Sequence, residues 1–326
     1  MGNWAHILKT CSCDDPRGLD PVGRLLVVMR ACVQPMTIVS IMIAGLAASW
    51  AFAFDGVLFA LAALDSIVAH ATNNMINDLF DMDAGLDDAS YPRNQYAPHP
   101  VMSGLIDRPG LIRNILIANA IDAAIMLILF SARGWPILAF ALAGLFISVF
   151  YVAPPLRLKA KGLGELSVFL IWGPIMVGGM YYAAVGSINP GVLLLSIPYA
   201  LLVTSVLMGK HIDKAPWDRR EGVKTLPVWL GDRTALTVTK GLLIGFYVAI
   251  VALVVAQFSS PWILVSLLAL PSLKKTLDTY SRDKPVAPPA RFPVWPLWYG
   301  PWAFVHSRRA GAFFVLGLIL SKVVSL

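Results

Sequence analysis

Residues 73–88 read NNMINDLFDMDAGLDD and place five aspartates and three asparagines in sixteen positions. Only 14% of the chain is charged, so acids at this density are unusual for this protein. The run lies at the end of an apolar segment that begins near residue 55. An apolar helix that ends in a dense polar run is typical of a transmembrane segment that reaches the membrane surface.

The composition is that of an integral membrane protein. Hydrophobic residues make up 57% of the 326 positions, and the mean hydropathy is +0.70, well above the range of soluble globular domains. Most apolar stretches approach the roughly 20 residues that a helix needs to cross a bilayer. They are residues 24–50, 55–77, 111–131, 135–152, 164–186, 190–209, 235–257 and 310–325, with a shorter ninth run at 261–273. We therefore predict an all-α, multi-pass transmembrane bundle of about nine helices around a central cavity open toward the cytoplasm.

No connection is long enough to form a separate soluble domain. The longest connections have about 30 residues, too few for an independent core. We predict a cytoplasmic leader over residues 1–23 and a single transmembrane domain over residues 24–326. The three cysteines, Cys11, Cys13 and Cys32, predict no disulfide framework.

Basic residues are concentrated on one side of the predicted bundle. Four connections carry nearly all of the Lys and Arg: roughly 78–110, 153–163, 210–234 and 274–309. Positive charge marks the cytoplasmic side, so we place the N-terminus in the cytoplasm and the protein in the cell membrane. The net charge of +7 reports this topology, and the sequence has no basic soluble module of the kind that binds nucleic acid. The last connection is rich in Pro and Trp, which predicts an interfacial belt or, alternatively, a lid over a lipid substrate.

The acidic run has helical spacing. Asn74, Asp78 and Asp81 lie at i, i+4 and i+7 and so share one helix face, with Asn77 at its edge. Carboxylates this close repel one another unless a cation lies between them, and Mg²⁺ prefers carboxylate, water and phosphate oxygens. The pattern predicts a Mg²⁺-diphosphate site, and the alternative is a solvated helix end.

Two further polar groups lie on the same predicted side. The first is a mixed group of acids and bases that contains Asp213 and Asp218 together with Lys210, His211, Lys214, Arg219, Arg220 and Lys224. The second follows the fourth apolar segment and contains Tyr151, Arg157, Lys159 and Lys161. Lys and Arg neutralise the excess charge of a diphosphate as it leaves, so both groups fit the chemistry predicted for the first.

Four ordered motifs resemble those of the UbiA superfamily of intramembrane prenyltransferases, over residues 24 to 257. NDLFD (77–81) matches the Asn-Asp-x-x-Asp first motif, and PVMSG (100–104) ends in the Ser-Gly of the first loop. YVAPPLRLK (151–159) resembles the segment after the fourth helix, and DRREGVKTLPVWLG (218–231) resembles the sequence that follows the second acidic motif. Residues 162–182 and the FDMDAGLD extension at 80–87 are most similar to menaquinone-branch enzymes, which prenylate dihydroxynaphthoate.

The resemblance implies a role for each predicted site residue. Asp78, Asp81, Asp213 and Asp218 would hold Mg²⁺, and Asn74, Asn77, Arg157, Lys159, Lys210, His211 and Lys214 would bind the polyprenyl diphosphate. Tyr151 would stabilise the allylic cation through its ring face, and Asp78, Asp81, Asp218 and Tyr151 form the implied catalytic set. The implied activity is Mg²⁺-dependent transfer of a polyprenyl group to an aromatic acceptor at the bilayer, and the similarity to menaquinone-branch enzymes suggests a step of quinone biosynthesis.

The second acidic motif departs from the family pattern. The menaquinone-branch members read Asn-Asn-x-Arg-Asp-x-x-x-Asp, and the aligned stretch here is KHIDKAPWD (210–218). Lys214 stands where the earlier acid belongs, Asp213 comes one residue early, and Pro216 is expected to break the helical register between Asp213 and Asp218. In the first loop, His99 replaces the usual Arg.

These departures motivate two alternative functions. One is UbiA-type chemistry on another acceptor or none, as in a terpene cyclase or a polyprenyl-phosphate glycosyl or phosphoribosyl transferase. The other is a transporter or lipid-binding scaffold whose acids form an ion path. The sequence leaves the acceptor, the prenyl length and the oligomeric state open.

Overall fold

The computed structural model describes residues 4–13, 15–16, 18–83, 85, 92–290 and 292–324, so Asp87 and Asp88 of the acidic run lie outside the described residues. Within these ranges the chain is helical and has no strand. The α-helices are α1 (Trp4–Thr10), α2 (Pro21–Val28), α3 (Gln34–Ala48), α4 (Gly56–Asp83), α5 (Pro92–Tyr96), α6 (Arg108–Arg133), α7 (Trp135–Phe150), α8 (Gly164–Leu170), α9 (Met176–Val185), α10 (Pro190–Arg220), α11 (Leu226–Leu230), α12 (Asp232–Val255), α13 (Leu270–Tyr280) and α14 (Tyr299–Val324).

Seven helical stretches of the described residues are long and apolar enough to cross a membrane. They are Ala31–Ala48, Gly56–Asp83, Arg108–Arg133, Gly164–Val185, Pro190–Arg220, Asp232–Val255 and Tyr299–Val324. α7 is apolar but shorter, and a 3₁₀ turn at Pro261–Ala269 precedes α13. The all-α membrane bundle is confirmed, whereas the count of about nine spanning helices stays a prediction.

The first predicted helix, residues 24–50, is broken in the structure. α2 ends at Val28, a 3₁₀ turn follows at Ala31–Val33, and α3 begins at Gln34. The break is at Arg30, whose φ of 51° lies in the left-handed region that a continuing helix cannot use. This conformation aims the Arg30 side chain into the protein, where it meets Asp78.

α4 and α6 form an antiparallel pair held by an ion pair near each end. At one end Arg108 donates to Asp83 at 2.7 Å, and at the other end Arg133 lies 4.0 Å from Asp55. The two pairs lie on opposite sides of the apolar part of the bundle. The position of any side chain on α4 or α6 can therefore be stated as its distance along the helix from one of these two ion pairs.

α10 continues through the second acidic motif, contrary to the expectation that Pro216 would break it. The helix runs from Pro190 to Arg220 and includes both Pro198 and Pro216. Pro216 lies in the last two turns, so its missing N–H removes one bond near the helix end and the remaining turns stay regular. Asp213 and Asp218 therefore belong to one continuous helix.

α14 begins earlier than the apolar pattern predicts, at Tyr299 instead of residue 310. Its first turns cross α10 at two glycines, and a Cβ on Gly209 would lie 2.9 Å from the Gly300 Cα. The two backbones touch because neither position carries a side chain. The connection between α13 and α14, described at residues 281–290 and 292–298, is called the connecting segment below.

The cysteine prediction is wrong. Cys11 and Cys32 form a disulfide, with Cα atoms 5.2 Å apart, and Cys13 is the free cysteine. The pairing arises because the first helix, Trp4–Thr10, packs on the 3₁₀ turn that follows Arg30. Three cysteines in sequence give no sign of this packing, which depends on the break at Arg30. In the same region the backbone N–H of Gly23 lowers the pKa of Asp20, which caps α2.

Candidate active site

A cavity of about 890 Å³ runs through the bundle. Its wall on α4 extends from Asn77 to Ala62, which at 1.5 Å per residue is a length of about 22 Å. The far part is apolar and reaches Ile137 and Leu138 at the start of α7, whereas Arg30 and the amides of α4 lie in the wall nearer the aspartate motif. The cavity therefore has a polar end and a long apolar interior.

Asp78 is fully buried and is paired with Arg30. The Arg30 guanidinium donates to both carboxylate oxygens, with Nε 3.2 Å from Oδ2, and Arg30 itself lines the cavity. The Nε2 atom of His99 lies 3.3 Å from the Asp78 backbone oxygen and 4.0 Å from Oδ1. His99, which replaces an Arg of the family pattern, thus lies beside the first motif.

Asp81 is paired with Lys159. The Lys159 ammonium lies 2.7 and 2.6 Å from the two Asp81 oxygens and 3.3 Å from the Asn77 side-chain oxygen. Asn74 donates to the Met29 carbonyl at 3.4 Å, and both Asn74 and Asn77 line the cavity. The predicted Asn-x-x-x-Asp-x-x-Asp face therefore exists, and each of its carboxylates is held by a cation from another part of the chain.

The acids of the second motif make different contacts. Asp213 accepts hydrogen bonds from the backbone N–H groups of Tyr299 and Gly300, at 3.0 and 2.9 Å. Asp218 is also buried and accepts from the Thr225 hydroxyl at 3.4 Å. Among the described residues neither acid lines the cavity, and Asp78 and Asp81 likewise lie behind its wall.

The predicted binding residues are divided between the cavity and its surroundings. Lys210 and Tyr151 line the cavity. His211 is buried, and its Nδ1 lies 2.7 Å from Glu165. Lys214 is buried on α10 outside the wall, whereas Arg157 is exposed in a left-handed turn. Their roles in binding stay predictions.

No group of three His, Cys, Asp or Glu residues lies close enough to hold a metal ion by itself within the described residues. The oxygen donors of the first motif nevertheless fit Mg²⁺. Mg²⁺ usually takes only one or two carboxylates and completes its octahedron with waters and substrate phosphates. Asp78 and Asp81, each already next to a positive charge, have the donor chemistry that such an ion needs.

Arg30 is the functional candidate that sequence reasoning missed. It lies near the start of the predicted apolar segment 24–50, 48 residues from Asp78, so neither periodicity nor motif spacing connects the two. An Arg at the edge of an apolar segment is usually read as a topogenic charge. Its burial, which follows from the break between α2 and α3, was the missing signal.

Comparison with known proteins agrees with this geometry. A sequence model of the UbiA prenyltransferase family matches residues 38–319. The chain belongs to the UbiA prenyltransferase family. It is a multi-pass membrane enzyme that transfers prenyl groups within the bilayer, as the four ordered motifs predicted.

Two bacterial relatives of this UbiA chain act on naphthoate compounds by name. It is 26% identical to the 1,4-dihydroxy-2-naphthoate octaprenyltransferase of Bacillus subtilis over 67% of this chain and 69% of that protein. It is 27% identical to the 2-carboxy-1,4-naphthoquinone phytyltransferase of Synechocystis over 71% of each chain. The similarity to menaquinone-branch enzymes inferred from residues 162–182 is thereby confirmed.

Solved structures share the fold of this UbiA chain. A UbiA homologue from Aeropyrum pernix superimposes with a TM-score of 0.66 at 19% identity, over 88% of this chain and 98% of that one. A homologue from Archaeoglobus fulgidus, solved with GPP and Mg²⁺, gives a TM-score of 0.58 at 16% identity over 89% and 99%. At these identities the likeness establishes the fold.

Proposed function

We propose that this enzyme transfers a polyprenyl group from a polyprenyl diphosphate to an aromatic acceptor of the dihydroxynaphthoate kind, with Mg²⁺, as a step in quinone synthesis. The observation that carries the proposal is the pairing of Asp78 with Arg30 and of Asp81 with Lys159 beside a long apolar cavity. The names of the bacterial relatives support the choice of acceptor.

The acidic and basic residues of the site have different roles in the ionisation of the prenyl diphosphate. Asp78 and Asp81 would hold Mg²⁺ together with phosphate oxygens and waters, while Arg30, Lys159 and Lys210 bind the diphosphate through charge-assisted hydrogen bonds. The bound ion supplies positive charge that stabilises the diphosphate as it departs. The bond between the prenyl C1 and the diphosphate oxygen breaks, and its electron pair leaves with the diphosphate.

The cavity wall then governs the fate of the allylic cation. The apolar interior excludes water and so prevents hydrolysis of the cation. Tyr151 lines the cavity and its ring face stabilises the cation by roughly 0.5–2 kcal/mol. A carbon of the electron-rich acceptor ring forms the new bond to C1, and the ring then releases a proton.

The polar end of the cavity is assigned to the cytoplasm. The connections that contain Arg108, Lys159 and Lys210 carry most of the positive charge, and such connections stay on the cytoplasmic side. Mg²⁺ and the diphosphate headgroup of the donor would then meet at the cytoplasmic end of the cavity, where the released diphosphate also leaves, while the prenyl tail lies in the membrane. The enzyme works at the lipid bilayer and needs no nucleic-acid partner.

The decisive experiment uses purified protein in nanodiscs with Mg²⁺ and prenyl diphosphates of several lengths, with and without dihydroxynaphthoate. We expect acceptor-dependent release of diphosphate and a prenylated naphthoate, both abolished by EDTA. Asp78→Asn should lower kcat/KM by roughly 100-fold or more, as loss of a charge-stabilising group in an active site does.

Asp83→Asn is the matched control, because Asp83 lies at the same helix end and its ion pair with Arg108 is exposed. Its activity should stay within about twofold of the parent. A cyclised product, or transfer to a sugar carrier, would identify the cyclase or glycosyl transferase alternative. Failure of every donor to release diphosphate would support the transporter or scaffold alternative and overturn the proposal.

A further inference from the structure

Among the described residues, the Asp213 carboxylate contacts backbone N–H groups and the ammonium group of one lysine. Its side chain is fully buried, and its two oxygens each accept one backbone N–H, from Tyr299 and from Gly300. The Lys284 ammonium lies 3.8 Å from the same carboxylate. Because both oxygens already accept hydrogen bonds at the first turn of α14, the carboxylate is directed at the protein and not at the cavity.

Lys284 extends this contact into the connecting segment. It donates to the carbonyl oxygen of Pro296 and lies 5.1 Å from the centre of the Trp295 ring. Burial holds the pKa of the Lys284 ammonium below its ordinary value, whereas the Asp213 carboxylate acts in the opposite direction. Asp213 therefore contacts the start of the connecting segment at Lys284 and the first turn of α14 that follows its end.

Two tyrosines complete the anchorage of the connecting segment. The Tyr299 hydroxyl donates to the Arg282 carbonyl at 3.0 Å, and the Tyr280 hydroxyl donates to the Tyr299 carbonyl at 3.0 Å. The two rings lie 5.0 Å apart. The segment, although rich in Pro, is thus fixed to α10, α13 and α14 at several points.

The connecting segment forms part of the cavity wall. Phe292 and Leu297 line the cavity, together with Phe304 on α14. Lys210 lines the same cavity, and it lies where α10 touches α14, since a Cβ on Gly300 would lie 3.1 Å from the Lys210 Cα. The segment therefore bounds the end of the cavity where the charged groups lie, opposite the apolar interior that suits a prenyl tail.

We propose that Asp213 is a positioning residue and not a metal ligand, and that it holds the connecting segment as the wall against which the acceptor ring binds. Phe292 and Leu297 then determine which flat aromatic acceptor fits. The inference rests on the proposed function. It assigns a structural role to Asp213, the acid that comes one residue early in the second motif. Of the two predictions for the Pro- and Trp-rich connection, an interfacial belt or a lid over the substrate, the proposal develops the lid.

The first test compares Asp213→Asn with Asp278→Asn, an exposed acid on the neighbouring α13. Hydrogen exchange followed by mass spectrometry should show roughly tenfold faster exchange of the connecting segment in Asp213→Asn and no change in the control. The affinity for Mn²⁺, a paramagnetic substitute for Mg²⁺ that can be followed by EPR, should stay within about twofold of the parent in both variants. A clear fall in Mn²⁺ affinity with unchanged exchange would overturn the proposal.

Lys284→Gln is a second variant in case Asp213→Asn does not fold. It weakens the same contact but leaves every acid of the two motifs in place. It should reproduce the faster exchange and raise the KM for dihydroxynaphthoate about tenfold with the donor KM unchanged. Phe292→Ala should raise the KM for the acceptor and leave the Mn²⁺ affinity unchanged. An unaltered acceptor KM in both variants would overturn the wall assignment.

These readouts separate the inference from the proposed function. Exchange and Mn²⁺ affinity need no turnover, so they decide the role of Asp213 even if no prenylated naphthoate forms. Activity of the parent with an altered Mn²⁺ affinity in Asp213→Asn would keep the function and reject the inference.

Discussion

At the scale of single residues, the aspartates of the first motif owe their geometry to two cations distant in sequence. Arg30 comes from a turn between helices and Lys159 from a turn after the two prolines, yet both reach the end of α4. A carboxylate buried as deeply as Asp78 is stable only with a compensating charge. The cations therefore preserve an arrangement of acids that would otherwise repel one another.

Removing Arg30 should make the stability depend on Mg²⁺. Arg30→Gln takes away the guanidinium beside a buried carboxylate, and breaking such a pair costs about 3–5 kcal/mol. Since a divalent cation supplies the missing positive charge, millimolar Mg²⁺ should restore part of the lost melting temperature. Differential scanning fluorimetry in detergent, with Mg²⁺ or with EDTA, measures both effects.

Arg108→Gln provides the comparison, because it breaks an ion pair to Asp83 in which both side chains are largely exposed. Exposed pairs contribute at most about 1 kcal/mol, so its melting temperature should barely change and should respond to Mg²⁺ only as much as that of the parent. Equal melting temperatures for Arg30→Gln and the parent in EDTA would contradict the role given to Arg30.

The Cys11–Cys32 bond gives a second prediction at this scale. It closes a loop of 21 residues, and a cross-link of this length stabilises a fold by roughly 3 kcal/mol. Cys32→Ser should therefore lower the melting temperature more than Cys13→Ser, which leaves the bond intact. Peptide mapping of protein extracted with an alkylating agent tests the bond directly, and three alkylated cysteines would refute it.

At the scale of helices, the contact of α10 with α14 decides where Lys210 lies. A side chain on Gly209 would meet the Gly300 backbone, so Gly209→Ala should push the helices apart and destabilise the protein by about 1–3 kcal/mol. Gly241→Ala is the control, because a Cβ there meets open space and improves helix propensity. We expect a lower melting temperature and a higher donor KM for Gly209→Ala alone; equal behaviour of the two variants would contradict the crossing.

Sequence patterns predicted the ends of the helices well where the length of the apolar segment sets them, and less well where contacts between distant parts of the chain set them. The apolar lengths located both ends of α6 and α12 and the start of α4 within about three residues, since lipid imposes a minimum helix length. The break at Arg30 and the early start of α14 escaped prediction. At each of these positions the chain contacts a buried carboxylate, Asp78 and Asp213 respectively, that lies far away in sequence.

The same limit applies to the site. Helical spacing correctly put Asn74, Asp78 and Asp81 on one face, because that is a local property of α4. The contacts of Asp213 depend on how α10 meets α14, which no local pattern records. Motif position alone therefore cannot decide between the predicted metal-ligand role of Asp213 and its proposed positioning role.

At the scale of the whole molecule, the cavity is polar at one end and apolar across most of its length. Two acids interrupt the apolar part, since Asp65 on α4 and Asp122 on α6 both line the cavity. Counted along α4, Asp65 lies 13 residues from Asp78, or about 20 Å. They are too far from the aspartate motif to act on a diphosphate there, so under the proposed function the tail of a long donor would be the part of the substrate that reaches them.

The length of the cavity should therefore set the length of the donor that the enzyme accepts. Ala123 and Ala124 are both exposed, but Ala123 lines the cavity next to Asp122, whereas Ala124 is not part of the described wall. Ala123→Phe should fill the cavity at this depth, lowering kcat/KM for long prenyl diphosphates at least about tenfold, a difference of about 1.4 kcal/mol, while a short donor such as geranyl diphosphate is little affected. Ala124→Phe adds the same ring about 100° around the helix from Ala123, at a position outside the described cavity wall, and should leave the ratio of long to short donors unchanged. Steady-state kinetics with a series of donors measures this ratio, and an equal loss for short and long donors in Ala123→Phe would mean that the tail takes another path.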